Sequence, residues 1–348
     1  MSYNRIVKPR MYMDRLSFDL ATGQRTISNY TIIQDNGSSA VTYESGQLED
    51  VFDMRPTNYV TIEKENQAFY FKFDTGQTAD TMAEKNFLAI LGHNFTEADA
   101  AFQLQYDDSV NMDSGTVATN ACTRIINAAV SSENADYVTP TSNGWSLITW
   151  ANNNTDNRYY RLIITKDGAL TTNFDADVQI GAIMMGEFID LPHSPDLNVG
   201  FDIDYDGSKT ISSTGGSTFA ASSHLGSPAW AATNPWVLTG EAGAEVYKLA
   251  RHYGRRSYAM NLSFVSDSDL FLSNMHSASA AMVDGSDLYS QLFHKSLGSH
   301  LPFLLTIDGS IVDSEGDYGL YRLSDGGLKA KQVSVNTWNT SLNLVEHW

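Results

Sequence analysis

Short segments in which apolar and polar residues alternate run through most of the chain, and this spacing of two is typical of β-strands. The three phenylalanines of Ala68–Phe73 fall on one face, and Ala101–Tyr106 alternates in the same way. Phe87–Leu91 is continuously apolar, which predicts a strand buried on both faces. Clusters of Asn, Asp, Gly and Ser separate these segments and indicate turns. Residues 39–191 are therefore predicted to form a β-sandwich.

A second body of strands follows an interruption. Pro192 and Pro195 disfavour regular structure, so residues 192–199 are predicted as a linker and residues 200–348 as a second β-sandwich or barrel. Val199–Tyr205 alternates and runs into Asp206-Gly207, a strong hairpin signal. Residues 212–227 are rich in Ser, Gly and Ala and predict an exposed loop. Residues 268–297 carry apolar side chains at helical spacing, which predicts one or two short helices.

Residues 1–38 form a separate segment that is rich in basic side chains, namely Arg5, Lys8, Arg10, Arg15 and Arg25. One interpretation is an N-terminal arm that docks on the acidic face of a neighbouring copy. The alternative is an ordinary first strand pair, Arg10–Leu16 with Thr26–Ile33, joined by a turn at Ala21-Thr22-Gly23. The sequence leaves both open.

Composition sets the size, the partners and the compartment. A chain of 348 residues exceeds what one core usually supports, so two mainly β domains are expected. The net charge of −19, from 22 basic and 41 acidic residues, disfavours nucleic acid as a partner, although solubility alone explains such a charge. The single cysteine, Cys122, excludes an intrachain disulfide. No segment predicts a leader or a membrane span, so we expect folding in a reducing cytoplasm.

The first body resembles the galactose-binding-like jelly roll of the discoidin type between about Val41 and Asp190. The segments that carry the resemblance are Asn86–Phe95, Phe102–Tyr106, Arg158–Thr165 and Val178–Phe188. The resemblance implies a β-sandwich, and domains of this family often bind glycans through loops at one end. It assigns no sugar-binding residue in this chain.

The second body resembles tail and baseplate proteins of tailed bacteriophages, through Arg255–Phe264, His300–Asp308 and Ser341–Trp348. This resemblance implies a non-enzymatic virion structural protein. Its partners would be further copies of itself and other virion proteins, in a ring or at a joint between the tail and receptor-binding parts. In that case it would fold in the host cytoplasm and act in the virion. The arginines Arg251, Arg255 and Arg256 join the basic N-terminal residues as candidate assembly contacts, because guanidinium groups pair with carboxylates at interfaces.

A different class of function is a glycan-binding adhesion module that recognises the host surface. Trp and Tyr combine a flat apolar face with a polar tip, which suits stacking on sugars. The candidate glycan contacts are Tyr137, Trp145, Trp230 and Trp236. Burial of these rings in cores is the alternative.

Few residues of this sequence are candidates for metal binding or catalysis. Asp202, Asp204 and Asp206 match the opening of a calcium loop, but the twelfth position is Ser213, where an EF-hand needs Glu, so a strand face leading into a hairpin is the alternative. His193 and His252 lack a metal-ligand spacing. Nucleophile, phosphate-loop and dinucleotide motifs are missing, so no catalytic residue and no cofactor is predicted. A polysaccharide-degrading enzyme is the least favoured function, since such enzymes are commonly repetitive β-helices and no repeat is found.

Overall fold

The computed structural model describes residues 6, 8–34, 40–76, 85–112, 115–151, 157–166, 168–204, 208–222, 228, 230, 236, 254–271, 287–310 and 317–347. Within these ranges the fold is mainly β, as the alternation predicted. The strands, in chain order, are β1 (Arg10–Asp14), β2 (Tyr30–Gln34), β3 (Tyr43–Ser45), β4 (Val60–Ile62), β5 (Phe69–Asp74), β6 (Asn86–His93), β7 (Ala100–Asp107), β8 (Thr116–Val117), β9 (Cys122–Ile126), β10 (Ala128–Val130), β11 (Val138–Pro140), β12 (Gly144–Trp150), β13 (Tyr159–Lys166), β14 (Val178–Ile180), β15 (Ala182–Asp190), β16 (Gly200–Asp204), β17 (Ser208–Ser212), β18 (Thr218–Ser222), β19 (Arg255–Ser266), β20 (Phe303–Thr306), β21 (Tyr318–Leu323), β22 (Ala330–Ser334) and β23 (Thr337–Glu346).

Helices are short in the described ranges and lie between strands. They are the α-helices α1 (Arg15–Ala21), α2 (Phe95–Ala98) and α3 (Asp267–Leu270), the 3-10 helices Ile27–Asn29, Leu48–Phe52, Lys64–Asn66 and Ala118–Ala121, and the π-helix Tyr289–His294. Both α3 and the π-helix fall in or beside the predicted helical segment, and residues 272–286 between them lie outside the described ranges. No described helix has the length and apolar character needed to cross a membrane.

One antiparallel sheet of eleven strands extends through both halves of the chain. Its order is β16-β19-β23-β21-β20-β1-β15-β6-β12-β9, and β22 pairs with β23. A seven-stranded sheet, β10-β11-β7-β13-β5-β2 with β8 on β7, covers the first half of the large sheet. Two smaller sheets, β14-β4-β3 and β17-β18, complete the described pairing. Apart from β2, the strands of the seven-stranded sheet lie within residues 39–191, the range for which the sequence predicted a sandwich.

Strand β1 joins the two halves, because it pairs with β15 on one side and with β20 on the other. Met11 lies opposite Ile189 and Leu305, and its side chain is 0% exposed. The N-terminal arm is therefore a wrong prediction for these residues, which form an interior strand. The alternative strand pair is also wrong, since Arg15–Ala21 is helical and β2 pairs with β5.

Asp14 fixes the end of β1 and the start of α1. Its carboxylate accepts hydrogen bonds from the backbone N–H groups of Leu16 (3.2 Å), Ser17 (3.0 Å) and Met185 (2.9 Å). The first two cap the helix, and the third binds it to β15. Burial raises the pKa of Asp14 to about 6, although the hydrogen bonds act in the opposite direction.

Three apolar cores lie against the large sheet. The first fills the sandwich and includes the phenylalanines of β5, whose alternate burial confirms the pattern in Ala68–Phe73. The second lies in the other half, where Met260 and Leu262 of β19 meet Leu342 and Leu344 of β23. The third, called the middle core, lies on the opposite face of the sheet from the other two and covers the other side of β6. This third core explains why β6 is buried on both faces, as its continuous apolar run predicted.

The start of the second half differs from the prediction. Among the described residues, β16 pairs with β19 at the edge of the large sheet and β17 pairs with β18, so the predicted pairing of the strands on either side of Asp206-Gly207 is not found. The segment predicted as a loop instead contributes β18, which pairs with β17 in an exposed hairpin. Ile211 and Phe219 lie opposite each other there and are 66% and 63% exposed. Residues 205–207 and 223–227 lie outside the described ranges.

The position of β1 gives a test by truncation. A variant that begins at Ile27 lacks β1 and α1, so we expect it to lose cooperative unfolding, because the large sheet is then divided and Met11, Leu16 and Phe18 no longer fill the cores. Circular dichroism during thermal unfolding measures this. At single-residue level, Met11→Ala is expected to lower the free energy of unfolding by about 2–5 kcal/mol. Lys8→Ala, at an exposed position, should change it by about 0.5 kcal/mol or less. A truncated protein that unfolds cooperatively at the wild-type temperature contradicts this role of β1.

Candidate functional site

The four aromatic residues predicted as glycan contacts are buried. Tyr137 is 5% exposed, Trp145 1%, Trp230 3% and Trp236 3%. The indole nitrogen of Trp145 donates to the backbone oxygen of Trp230 at 3.0 Å, and the rings of Trp230 and Trp236 pack edge to face at 5.1 Å between centroids. The three tryptophans belong to the middle core, so the prediction that these rings face solvent is wrong.

Most of the described arginines predicted to bind a neighbouring copy bind carboxylates of their own chain. Arg10 contacts both oxygens of Asp190 at 2.6 and 3.0 Å, and Arg15 binds the buried Asp19 at 2.7 Å. The guanidinium of Arg256 donates to Glu346 at 2.6 Å. Assembly roles for these three are corrected to internal ones, since their charges are already paired. Of the remaining candidates, Lys8 is exposed and 3.6 Å from Asp190, Arg255 is half-buried on β19, and Arg5 and Arg251 lie outside the described ranges.

The predicted calcium ligands are only partly described. Asp202 and Asp204 lie on β16 and are exposed, and Asp206 lies outside the described ranges. Among the residues that the structure describes, no three His, Cys, Asp or Glu side chains are close enough together to hold a metal ion. Calcium at this segment stays a prediction.

A buried histidine and serine contact each other without forming a catalytic pair. The Nδ1 atom of His93 accepts from the backbone N–H of Phe95 at 3.3 Å, so the ring proton lies on Nε2, which donates to Oγ of Ser146 at 2.9 Å. A general base would need the reverse arrangement, with Nε2 accepting from the serine. Burial also lowers the pKa of His93 to about 3 and raises that of the Cys122 thiol to about 12. Both shifts favour uncharged side chains that pack in the structure.

A polar groove of about 720 Å³ lies in the second half. Its walls are the segment Asp196–Asn198, the middle of β19, the start of β22 and the middle of β23. The lining is Asp196, Asn198, Asn261, Leu262, Ser263, Leu328, Lys329, Ala330, Lys331, Asn339, Thr340 and Ser341. Ligand clefts commonly measure about 300–1,000 Å³, so the groove has room for a small organic ligand.

The predicted linker forms one wall because Asp196 binds it to β19. The backbone N–H of Asp196 donates to the backbone oxygen of Asn261 at 2.8 Å, and its carboxylate accepts from the hydroxyl of Ser263 at 2.6 Å. These contacts hold Asn198 beside β19. Within the described chain, the side-chain amides of Asn198 and Asn261 have no hydrogen-bond partner, so both are available to a ligand.

An exposed aromatic residue, Phe264, follows the lining residue Ser263 on a bulge of β19. The pairing of β19 with β23 shifts between Leu262 and Val265, which are both buried. Ser263 and Phe264 therefore both turn outward, and Phe264 is 74% exposed. Its backbone N–H donates to the side-chain oxygen of Asn339, another lining residue, at 3.0 Å. The bulge thus joins the backbone of Phe264 to the lining residue Asn339 and leaves the phenyl ring exposed to solvent.

The backbone of Phe264 is strained. Its φ of 61° lies in the left-handed region, which costs a residue other than glycine about 1–2 kcal/mol. Strained backbone that the surrounding structure holds in place is concentrated at functional sites. Simple alternation along the sequence does not single out this residue. The adjacent pair Phe264-Val265 was the available signal, because it interrupts the alternation of Tyr258, Met260 and Leu262.

Comparisons with known proteins give a limited result. No protein family and no curated protein sequence matches the chain. Among solved structures, chitosan-binding module 1 from a chitosanase/glucanase of Paenibacillus sp. IK-5 is 15% identical, with 45% of this chain and 94% of that chain covered and a TM-score of 0.29. CpGH89CBM32-4 from Clostridium perfringens, in complex with GlcNAc-α-1,4-galactose, is 11% identical, with 45% and 90% covered and a TM-score of 0.28. At these TM-scores the overlaps carry no argument about the ligand of this chain.

The protonation of His93 gives a test by pH. Its folded pKa of about 3 lies below the ordinary value of 6.5, so between these values the unfolded chain binds a proton that the folded chain does not. The contribution is fully present above pH 6.5 and is lost as the pH falls. We expect the free energy of unfolding of the wild type to fall by about 1.4 kcal/mol per pH unit more than that of His93→Gln.

Urea unfolding at pH 7, 6, 5 and 4.5 measures the two slopes. Asp14, whose raised pKa acts with the opposite sign, is common to both proteins and cancels in the comparison. His300→Gln, which makes the same substitution at an exposed position, serves as the control. Equal slopes for the wild type and His93→Gln would show that His93 is protonated in the folded state.

Proposed function

We propose that this protein is a non-catalytic glycan-binding protein and that its oligosaccharide ligand lies in the polar groove, with Phe264 as the ring on which one sugar stacks. The observation that carries the proposal is the 74% exposed ring of Phe264, a residue that directly follows the lining residue Ser263 and whose backbone N–H donates to the lining residue Asn339. Sugars present an apolar C–H face and a rim of hydroxyl groups, so a flat ring and several amide and hydroxyl groups match both parts.

The polar lining supports this choice of ligand. Asn198 and Asn261 offer amide groups that both donate and accept, as sugar hydroxyls do, and Ser341 adds a hydroxyl group. Strands β19 and β23 hold most of these groups, so binding would require little ordering of the chain. A polar cleft whose lining includes Lys329 and Lys331 favours recognition of a neutral or acidic oligosaccharide.

The groove is better suited to binding than to hydrolysis. Glycoside hydrolysis usually requires two carboxyl groups on either side of the scissile bond. Among the described lining residues Asp196 carries the carboxylate, and that group already accepts the Ser263 hydroxyl and secures the groove wall. Nothing in the proposal requires a reaction.

The virion structural role stays a prediction. Its proposed partners are other copies of the chain and other virion proteins, and it is compatible with glycan binding in one particle. The glycan candidates of the sequence are buried, whereas the assembly role keeps Lys8, Arg255, Arg5 and Arg251 as candidates once the internally paired Arg10, Arg15 and Arg256 are set aside. The groove provides different residues for glycan recognition.

The glycan proposal is tested with two phenylalanine variants. An array of immobilised neutral and acidic oligosaccharides identifies a binder, and calorimetric titration with that oligosaccharide gives the dissociation constant. We expect Phe264→Gly to weaken binding at least about tenfold, or about 1.4 kcal/mol. Glycine tolerates the backbone conformation at this position, so the free energy of unfolding should stay within about 1 kcal/mol of the wild type. The loss of binding would then be separate from any loss of fold.

Phe219→Ala is the control, because Phe219 is 63% exposed on the separate β17–β18 hairpin and adjoins none of the groove residues. It should bind as the wild type does, and Phe264→Tyr should retain binding. Asn261→Ala should weaken binding as well. No binding on the array, or equal affinity for the wild type and Phe264→Gly, overturns the proposal.

A further inference from the structure

Two strands of the large sheet, β16 at one end of its order and β22 at the side of β23, have edges of opposite charge to which no other described strand is paired. Strand β16 pairs with β19, and β22 pairs with β23, in each case on one side within the described chain. Every residue of β16 is exposed, as are Lys331–Ser334 of β22. A free edge presents unpaired backbone N–H and C=O groups and is a template for another strand. Both strands are five residues long.

The edge formed by β16 is acidic and partly apolar, and is called the acidic edge below. Phe201 and Ile203 lie on one face and are 52% and 45% exposed, and Asp202 and Asp204 lie on the other. The ring of Phe201 packs at 5.0 Å from that of Tyr258, which fixes the strand on the sheet. Exposed apolar side chains on an edge strand indicate an interaction surface.

The edge formed by β22, called the basic edge below, has the complementary character. Lys331 lies on the strand and Lys329 directly precedes it, in a chain with only 22 basic residues. Val333 is 43% exposed, and Val335 in the following turn is 83% exposed. The ion pair between Lys329 and Asp325, at 3.1 Å, is exposed, so it restrains the lysine only weakly. The basic edge therefore combines lysines and valines where the acidic edge combines aspartates and apolar residues.

We propose that the acidic edge of one copy pairs with the basic edge of the next copy, so that the large sheet continues from chain to chain. In the order β16-β19-β23-β22 the two edges face away from each other, so one copy cannot pair them with itself. Opposite charges across neighbouring strands contribute roughly 0.2–1 kcal/mol per pair, and the exposed apolar residues add burial. The contact is head to tail, which gives a ring when the rotation closes and a filament otherwise.

Charge reversal on the full-length chain tests the proposal. Sedimentation velocity and mass photometry over a range of concentrations give the oligomeric state. We expect the wild type to form oligomers whose share rises with concentration. The variant Asp202→Lys/Asp204→Lys and the variant Lys329→Glu/Lys331→Glu should each remain monomeric, because each then carries two edges of the same sign. The chain with all four substitutions should assemble again.

Mixing the two double variants tests most directly whether one edge pairs with the other. Each supplies the edge that the other lacks, so an equimolar mixture should form oligomers although neither component does so alone. Glu65→Lys/Asp108→Lys makes the same change in charge at exposed residues outside both edges and should assemble like the wild type. Circular dichroism confirms that each variant is folded.

A wild type that stays monomeric throughout, or oligomers that persist in both double variants, overturns the proposal. Association that is lost in the double variants and not restored by mixing would instead indicate another partner surface and also contradicts this pairing. Asp202 and Asp204 do not line the groove, so oligosaccharide binding by their variant should match the wild type. A failure of self-association is thereby distinguished from a failure of glycan binding.

Discussion

The insertion of β1 between β15 and β20 is the constraint on which the rest of the structure depends. Its residues contact two cores and the start of α1. Met11 and Met13 enter the second core, Tyr12 enters the middle core, and Asp14 caps α1 while binding the backbone of β15. Because the side chains of a strand alternate between faces, one short segment can serve cores on both sides of a sheet. The two halves of the chain are consequently joined through β1 in one sheet.

Contacts outside β1 also join the two halves of the chain. Lys295, which follows the π-helix and is 3% exposed on its side chain, binds Glu187 of β15 at 2.6 Å. The ring of Phe18 on α1 packs at 5.5 Å from that of His294. A buried ion pair is costly to break by removing one partner, since the other charge then stays in an apolar environment. The junction is thus fixed by packing and by paired charge, and the groove lies on the far part of the same rigid sheet.

Local sequence patterns predicted where the strands lie, but they did not predict which strands pair over long sequence distances. The alternation in Ala68–Phe73 and the apolar run Phe87–Leu91 correspond to β5 and β6, because burial along one strand is recorded in its own sequence. The sequence of β1 does not specify which strands it pairs with, because its contacts are distant in sequence. Arg10 donates to Asp190, and the hydroxyl of Tyr12 contacts that of Tyr318. An Asp-Gly pair favours a tight turn but does not decide which strands pair, and β16 found β19 instead.

The candidate site was predicted less well than the fold. Tryptophan was weighed as an exposed sugar platform, but its large apolar area is stabilised most by burial, and Trp145, Trp230 and Trp236 fill the middle core. The exposed ring is a phenylalanine that simple alternation would direct inward with Leu262. A bulge reverses it, and the amide of Asn339, distant in sequence, accepts the hydrogen bond from the bulged backbone. No local pattern specifies that acceptor.

The two proposals support each other physically. The groove is open and polar, and such surfaces exchange water for ligand with little net gain per hydrogen bond, so the affinity of a single site for one oligosaccharide would be modest. Head-to-tail copies repeat the groove at a fixed spacing on a continuous sheet. When several linked sites engage one surface, each later binding step is intramolecular, and the overall avidity can exceed that of one site by about 10²–10⁴. A rigid sheet matters here because that gain is lost when the geometry prevents simultaneous contact. In this arrangement Phe264 would contribute a weak contact in each copy, and the edges of β16 and β22 would hold these contacts at a fixed spacing.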